Sequence, residues 1–465
     1  MSKQRRRSRE ELEGEVRCLQ QQLERALEEI ERLRRALEEA LRAGKRQAAP
    51  HSRGEPKQNP KKPGRKAGPH YGQQSCRAIP QRVDERIPVP LPERCNRCGG
   101  EVVAERTEPQ YQEEIVRRTV VRRFDVAIGR CRCCGSRVQG RHAWQTSNAL
   151  GAAAVQLGPE ALSLAAHLNK QMGLSLGHTA QVLALGFDFQ VSRGGIYRAL
   201  ARMANKAAPS YQGLVVAARQ SLVNRVDETG WRVGGRLQWM WVWVGDQATV
   251  YAVLAGRGFP EAASVLGADY AGWLLHDGLR CYYGFEKAFH QSCLAHLIRR
   301  CREMAQAAGG PAARFPLQVQ RLLEKALALR DRYERREITL HGLWTATGQL
   351  EARWDRLLEK PYHCLSNIRL ANHLRHEQPY VFTFLKCPGL DATNNAAERA
   401  LRGIVIARKV WGGNRTWKGA LVQQILGSVL RTCRQQNKDA FARLVGLLRS
   451  PSQRILDIVP TCSSP

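Results

Sequence analysis

Apolar residues near the N-terminus fall at Leu12, Val16, Leu19, Leu23, Ala26, Ile30, Leu33, Leu37 and Ala40, in alternating steps of four and three. Glu and Arg flank this seam, and only Gly14 interrupts it. A stripe of two positions in seven predicts a self-associating coiled coil over 10–42, since a helix packed on its own domain carries a wider stripe. The pattern then stops. Residues 43–75 are rich in Gly, Pro and Lys/Arg, with Glu55 the sole acid between 44 and 72, and read as a flexible basic linker. From 99 to 130 the pattern alternates in strand fashion around Ile115, Val116, Val120, Val121 and Val126.

Helical periodicity returns over 155–210. Leu174 to Leu183 reads as a short helix, a turn follows at Gly186, and Ser192 is placed to cap a second helix over 192–204. The pair has the outline of a helix-turn-helix, with Arg198 and Arg202 on its reading helix. Residues 218–308 change period again. Leu222–Val226 predicts a strand ending at Asp227, and Gly234-Gly235 a hairpin turn between Trp231–Val233 and Leu237–Val244. Trp239, Trp241 and Trp243 share one face of that strand, and Met240, Val242 and Val244 the other. A strand apolar on both faces needs cover on both sides, so the tryptophans read as core. Thr249–Ala255 is the third strand and 260–267 a helix. Short strands follow at Gly272–His276 and His290–Cys293 with a helix between them, and a long helix runs on from Leu294. The order is β-β-β-α-β-α-β-α. Residues 309–390 are helical and basic, and 391–450 are helical again.

Charge narrows the partners. The 465 residues carry 73 Lys+Arg against 42 Asp+Glu, a net of +31. Residues 391–449 alone hold eleven Lys/Arg and three acids, a net of +8. Such a chain attracts nucleic acid. No stretch is long and apolar enough for a membrane helix, and no apolar run follows the basic N-terminus, so a cytoplasmic protein without a membrane partner is expected.

Within 76–145, Cys95-Asn-Arg-Cys98-Gly-Gly and Cys131-Arg-Cys133-Cys134-Gly are two knuckles. Two C-x-x-C pairs, each followed by glycine, suit one structural Zn²⁺ held by Cys95, Cys98, Cys131 and Cys134, with Cys133 spare. Cys293-x-x-His296 has no matching second pair and reads as packing beneath the catalytic centre. Two carboxylates end strands of one sheet: Asp227 in Val226-Asp-Glu-Thr-Gly-Trp231, and Asp277 in Leu275-His-Asp-Gly278. Adjacent aspartates repel unless a cation joins them, and Mg²⁺ prefers carboxylate oxygen. The third piece is Asp391-Ala-Thr-Asn394-Asn395-Ala-Ala-Glu398-Arg399-Ala-Leu-Arg402. Here Glu398 is either a further cation ligand or the acid of a capping box on Asn395. Around it Arg399, Arg402, Lys409, Arg415 and Lys418 are placed to neutralise phosphates.

The strings Val226-Asp-Glu-Thr-Gly-Trp-Arg232, Cys293-Leu-Ala-His296, Thr393-Asn-Asn-Ala-Ala-Glu-Arg-Ala-Leu-Arg402 and Arg408-Lys-Val-Trp-Gly-Gly-Asn-Arg-Thr416 resemble insertion sequence 66 family transposases. The resemblance extends over nearly the whole chain in the order of its parts. It implies a multidomain protein of mixed α+β and α/β class: coiled coil, zinc-knuckle domain, helical DNA-binding region, and an RNase H-like mixed-sheet catalytic domain with a helical insertion. It implies a DDE transposase that cleaves insertion-sequence ends and joins them to target DNA by two-metal phosphoryl transfer. Asp227, Asp277 and Glu398 would hold two Mg²⁺ or Mn²⁺, with Asp227 bridging both. The Asp277 motif is the loosest match, and Asp269 is its near competitor. Double-stranded DNA of the ends and target, a second copy of the chain and accessory proteins of the same element are the partners implied, in a bacterial nucleoid. Two other classes share parts of this pattern. A zinc-dependent DNA-binding protein without catalysis needs no carboxylate triad, and an RNase H-like nuclease without strand transfer needs no knuckles or coiled coil.

Overall fold

The computed structural model describes residues 79–459, apart from 117, 152–155 and 309, together with Leu23. The coiled coil over 10–42, Leu23 aside, and the basic linker up to 78 lie outside the described residues. The chain divides at Glu114 into two units.

In the first unit, an isolated antiparallel bridge between Arg94 and Glu101 closes the first knuckle. The strands expected between 99 and 127 do not form among the described residues of either unit, and Val103 of the first and Val116 and Val121 of the second stay exposed. An alternating segment becomes a strand only where another strand takes up its backbone hydrogen bonds. Around the second knuckle such a partner exists, and β1 (Ile128–Arg130) pairs antiparallel with β2 (Arg137–Gln139).

The rest of the second unit is built on a five-stranded mixed sheet: β3 (Val223–Val233), β4 (Arg236–Val244), β5 (Thr249–Leu254), β6 (Trp273–His276) and β7 (Phe289–Ser292). The strand order is β5-β4-β3-β6-β7. β3, β4 and β5 form an antiparallel meander, and β6 and β7 add in parallel beyond β3. This is the sheet expected of an RNase H-like core. Two local expectations are corrected. β3 does not end at Asp227 but runs unbroken to Val233, because its pairing with β4 continues as far as the turn at Gly234-Gly235. Both of those glycines sit at positive φ, 59° and 80°, which a two-residue hairpin of this hand requires. The connection from β6 to β7 holds no α-helix, only a 3₁₀ turn at Arg280–Gly284. Gly278 and Gly284 at either side break any longer helix.

Helices cover both faces of the sheet, as the doubly apolar β4 demands. Trp241 and Trp243, both fully buried, stack 5.7 Å apart on one face. α3 (Arg193–Gln220), α4 (Phe259–Leu266) and α11 (Trp417–Gln435) pack there through residues such as Leu214, Ala218, Val265, Leu426 and Val429. The opposite face, bearing Trp231, Met240 and Val242, lies under α10 (Asn395–Trp411). The aromatic stripe is core, as its period required. α3 also corrects the helix-turn-helix outline. α1 (Pro159–Ala166) passes through a π-helical turn at His167–Gln171, and α2 (Leu176–Phe187) runs past Gly186 to close on left-handed Asp188. Ser192 does cap α3, its side chain accepting from the Gly195 amide at 3.0 Å. That helix is 28 residues long, however, and its second half belongs to the sheet's core.

Between sheet and C-terminal helices stands a second core. α5 (Leu294–Ala308), α6 (Arg314–Glu334), α7 (Leu340–Leu358), α8 (Leu365–Val381) and the short α9 (Thr383–Lys386) bury Phe315, Leu323, Trp354 and Leu374. Leu275 of β6 joins them, which roots the insertion in the sheet. α12 (Ala440–Arg449), capped by Asp439, returns the chain to the first core. Among the described residues no helix is long and apolar enough to cross a membrane.

Candidate active site

The parallel pairing of β3 with β6 fixes the two aspartates. Val223, Asn224 and Arg225 stand opposite Trp273, Leu274 and Leu275. Two residues further along the same register, Asp227 falls beside Asp277. β6 has ended there, so the aspartates flank an opening that a continuing strand would have closed. Successive side chains of a strand alternate faces, so Asp227 shares the face of Trp231 and Val233, which α10 covers. Glu398 lies in the first turn of that helix. All three carboxylates are half-buried.

The helix start is tied to the sheet from several sides. The buried Asn394 side chain donates to the Val226 carbonyl at 2.5 Å, and its amide donates to Cys293 Sγ at 3.1 Å. The Leu294 amide donates to Ala392 O at 3.0 Å. Arg225 Nε donates to Asp391 at 2.6 Å. No side chain caps the helix, whose N-cap is Asn394. A capping box on Asn395 is therefore not formed. The Glu398 carboxylate points elsewhere, with Oε1 3.5 Å from both His296 Nε2 and Arg299 Nη2.

These charges act on one another. Burial first, then the charges of Glu228, Asp277 and Glu398, push Asp227 up to about 8, against the pull of the Glu228 amide donating to it at 2.9 Å. Among the described residues no three His, Cys, Asp or Glu side chains converge into a ready-made ion cage. Mg²⁺ keeps several waters and takes one or two carboxylates plus substrate phosphates. Carboxylates set apart yet mutually repelling fit a cation whose shell the DNA completes.

Beside the aspartates opens a cavity of about 500 Å³, lined by Asp277, Gly278, His296, Arg299, Arg300 and His373 among others. Asp227 and Glu398 are not in its lining. Its cations, Arg299 and Arg300, come from α5 and its His373 from α8, and none was singled out in the sequence. Arg299 and Arg300 follow His296 at the three- and four-residue spacing of one helix face, which is the only trace they leave there. His296 is half-exposed at the site rather than packed beneath it, while Cys293 is buried as expected.

Beneath Asp277 the turn is braced. His276 is fully buried, and its Nδ1 accepts from the Gly278 amide at 3.1 Å. Its Nε2 stands 3.0 Å from His290 Nδ1, so that nitrogen carries the proton and donates. Gly278 has φ +89°, and a Cβ there would come within 3.0 Å of Glu377 on α8. Glu377 is buried and accepts from Ser292 Oγ at 2.6 Å and from the Tyr283 hydroxyl. On the far face of β3, Glu228 is buried and takes Arg257 Nε at 2.7 Å and the Tyr282 hydroxyl. It is a structural acid. The competing Asp269 is exposed and paired with Lys287 at 2.7 Å, away from this opening.

Arg198, Arg202, Arg399, Arg402, Lys409, Arg415 and Lys418 are all exposed. The last of the motif strings also holds the hairpin in place. Asn414 Oδ1 accepts from Trp231 Nε1 at 2.8 Å, its amide donates to Arg232 O, and Arg408 donates to Thr229 Oγ1 at 3.0 Å and to the Gly230 carbonyl. At the knuckles each cysteine pair makes a tight turn, Gly99 N–H to Cys95 O at 2.8 Å and Gly135 N–H to Cys131 O at 3.0 Å. The amides of Arg97 and Cys98, then the Cys98 thiol, lower Cys95. Hydrogen bonding with Ser136, then with Cys131, brings Cys134 down to about 7.

The profile of a family described as transposase IS66 family matches residues 154–421, more than half of the chain and the whole of the sheet. Among curated proteins, none matches.

Proposed function

Since the chain belongs to the transposase IS66 family, which implies DNA transposition, we propose that Asp227, Asp277 and Glu398 are its catalytic carboxylates and that it cleaves and joins DNA ends by phosphoryl transfer. One observation carries this reading: the β3–β6 register sets Asp227 beside Asp277 at an open sheet edge, under the helix that presents Glu398. The three would hold Mg²⁺ or Mn²⁺, which supplies the positive charge that activates the attacking hydroxyl and stabilises the leaving 3′-oxygen. The chain's own part is positioning. The Asn394 clamp fixes the Glu398 helix against β3, the His276–Gly278 bond fixes the Asp277 turn, and His296 with Arg299 orients Glu398. Arg299 and Arg300 counter the charge of an incoming phosphate, and the exposed bases of α10 and α11 extend that contact along the duplex.

The test is incubation of the full chain with supercoiled DNA carrying the element's ends. Nicks and joined products should form only with Mg²⁺ or Mn²⁺, and binding should weaken steeply with salt. A chain that binds the ends and cuts nothing in any divalent cation is a DNA-binding regulator instead.

From the doubled C-x-x-C spacing we also propose a structural Zn²⁺ on Cys95, Cys98, Cys131 and Cys134; within each unit the cysteine pair sits in its own tight turn, as such a ligand pair needs. Metal analysis of the purified chain should return one zinc per chain, and a zinc-free, folded preparation would refute it.

A further inference from the structure

Residues 122–145 enclose a second cavity, of about 690 Å³, a size that suits a small ligand. Its walls are aromatic and cationic: Arg122, Phe124, Arg141, His142 and Trp144. The Arg122 guanidinium lies 4.8 Å from the centre of the Trp144 ring. His142 meets Trp144 edge-on at 5.4 Å and Phe124 at 5.5 Å with a tilt of 35°. The loop beneath is held rigid. The His142 amide donates to Gln145 Oε1 at 2.8 Å, the Gln145 amide returns to His142 O at 3.1 Å, and Arg141 donates from Nη1 to the Pro451 carbonyl at 3.2 Å and from Nη2 to the Gln145 and Ser450 carbonyls at 3.3 and 3.4 Å. The Trp144 amide donates to His142 Nδ1 at 3.2 Å, so the imidazole proton sits on Nε2 as a further donor.

A ring cluster built only for packing would be buried. Here Trp144 is 48% and Phe124 36% exposed. The charge is one-sided as well. Between residues 117 and 144 stand eight arginines and one acid, Asp125, which Arg123 already pairs at 2.9 Å. Among the described residues neither Arg122 nor Arg141 has an acidic partner. Exposed aromatic faces beside uncompensated guanidinium groups suit a flat base with a phosphate next to it. In a duplex the base faces are covered by their neighbours, so the ring surfaces are open only to a base outside the stack.

We propose that this cavity binds an unpaired nucleotide of single-stranded DNA, the base against Trp144 and Phe124 and the adjoining phosphate on Arg122, with Arg141 bracing the loop beneath. The proposal rests on the transposase reading for the source of the strand, since end cleavage exposes unpaired nucleotides. The test titrates the full chain with a labelled single strand and with the matching duplex. Base–aromatic stacking is worth about 1–3 kcal/mol by alanine substitution, so Trp144→Ala should weaken single-strand binding about five- to 150-fold. Duplex affinity should stay within about twofold, and Trp144→Phe, which keeps a ring, should recover most of the loss. Unchanged single-strand affinity, or an equal fall on both DNAs, would overturn the proposal. Cleavage of end-bearing DNA by the unaltered chain, measured alongside, reports on the transposase reading separately.

Discussion

Replacing Glu398 by glutamine should lower DNA strand cleavage by roughly 10²–10⁴-fold, because a lost cation ligand forfeits several kcal/mol of transition-state stabilisation and each 1.36 kcal/mol is a factor of ten. The fold should not change. Glutamine keeps the length and shape of the side chain, and the helix start rests on Asn394, Cys293 and Val226 rather than on Glu398. The partners of Glu398, His296 and Arg299, are at 3.5 Å and partly exposed, so their loss costs little stability. A residue that merely capped the helix would tolerate glutamine with near-normal activity. Cleavage rate, thermal unfolding and end binding measured on one preparation separate these outcomes.

The largest effect on stability is expected at Trp241. It is fully buried, stacks on Trp243 at 5.7 Å, meets Tyr282 edge-on at 6.1 Å, and donates from Nε1 to the Gly256 carbonyl at 3.2 Å. Trp241→Ala should destabilise the sheet domain by about 3–5 kcal/mol, the usual range for emptying such a site. It also frees Tyr282, whose hydroxyl holds Glu228 on the face of β3 opposite Asp227. Urea unfolding gives the number directly, and a loss below about 1 kcal/mol would mean that Trp241 is not core.

Much of this arrangement was legible in the residues, for physical reasons that differ from part to part. β4 reads correctly because its apolar residues leave neither face free for water, and Gly234-Gly235 because only glycine takes two positive φ angles cheaply. Asp227 and Asp277 stand out because each follows an apolar strand core. The length of β3 was not legible. Asp-Glu-Thr-Gly is poor strand sequence by itself, and it stays extended only because β4 pairs with it throughout. The same holds in reverse at 99–127, where good strand sequence has no partner. Arg299, Arg300 and His373 were invisible as site residues because the insertion's packing, not local sequence, decides which face of α5 and α8 meets Asp277. His296 lines the cavity rather than packing beneath it for the same reason. The tie between Arg408, Asn414 and β3 shows that the motif following Glu398 serves the hairpin it rests on.

The most direct measurement compares the unaltered chain with Asp227→Asn on labelled duplex ends in Mg²⁺, following binding and cleavage together. Removing one of several crowded carboxylate charges relieves repulsion toward phosphate, so the variant should bind the ends as tightly as the unaltered chain or more so. It should produce no cleavage above background while the unaltered chain cuts. Cleavage by Asp227→Asn at the unaltered rate would contradict the account, since the pairing of Asp227 with Asp277 would then not be needed for the chemistry.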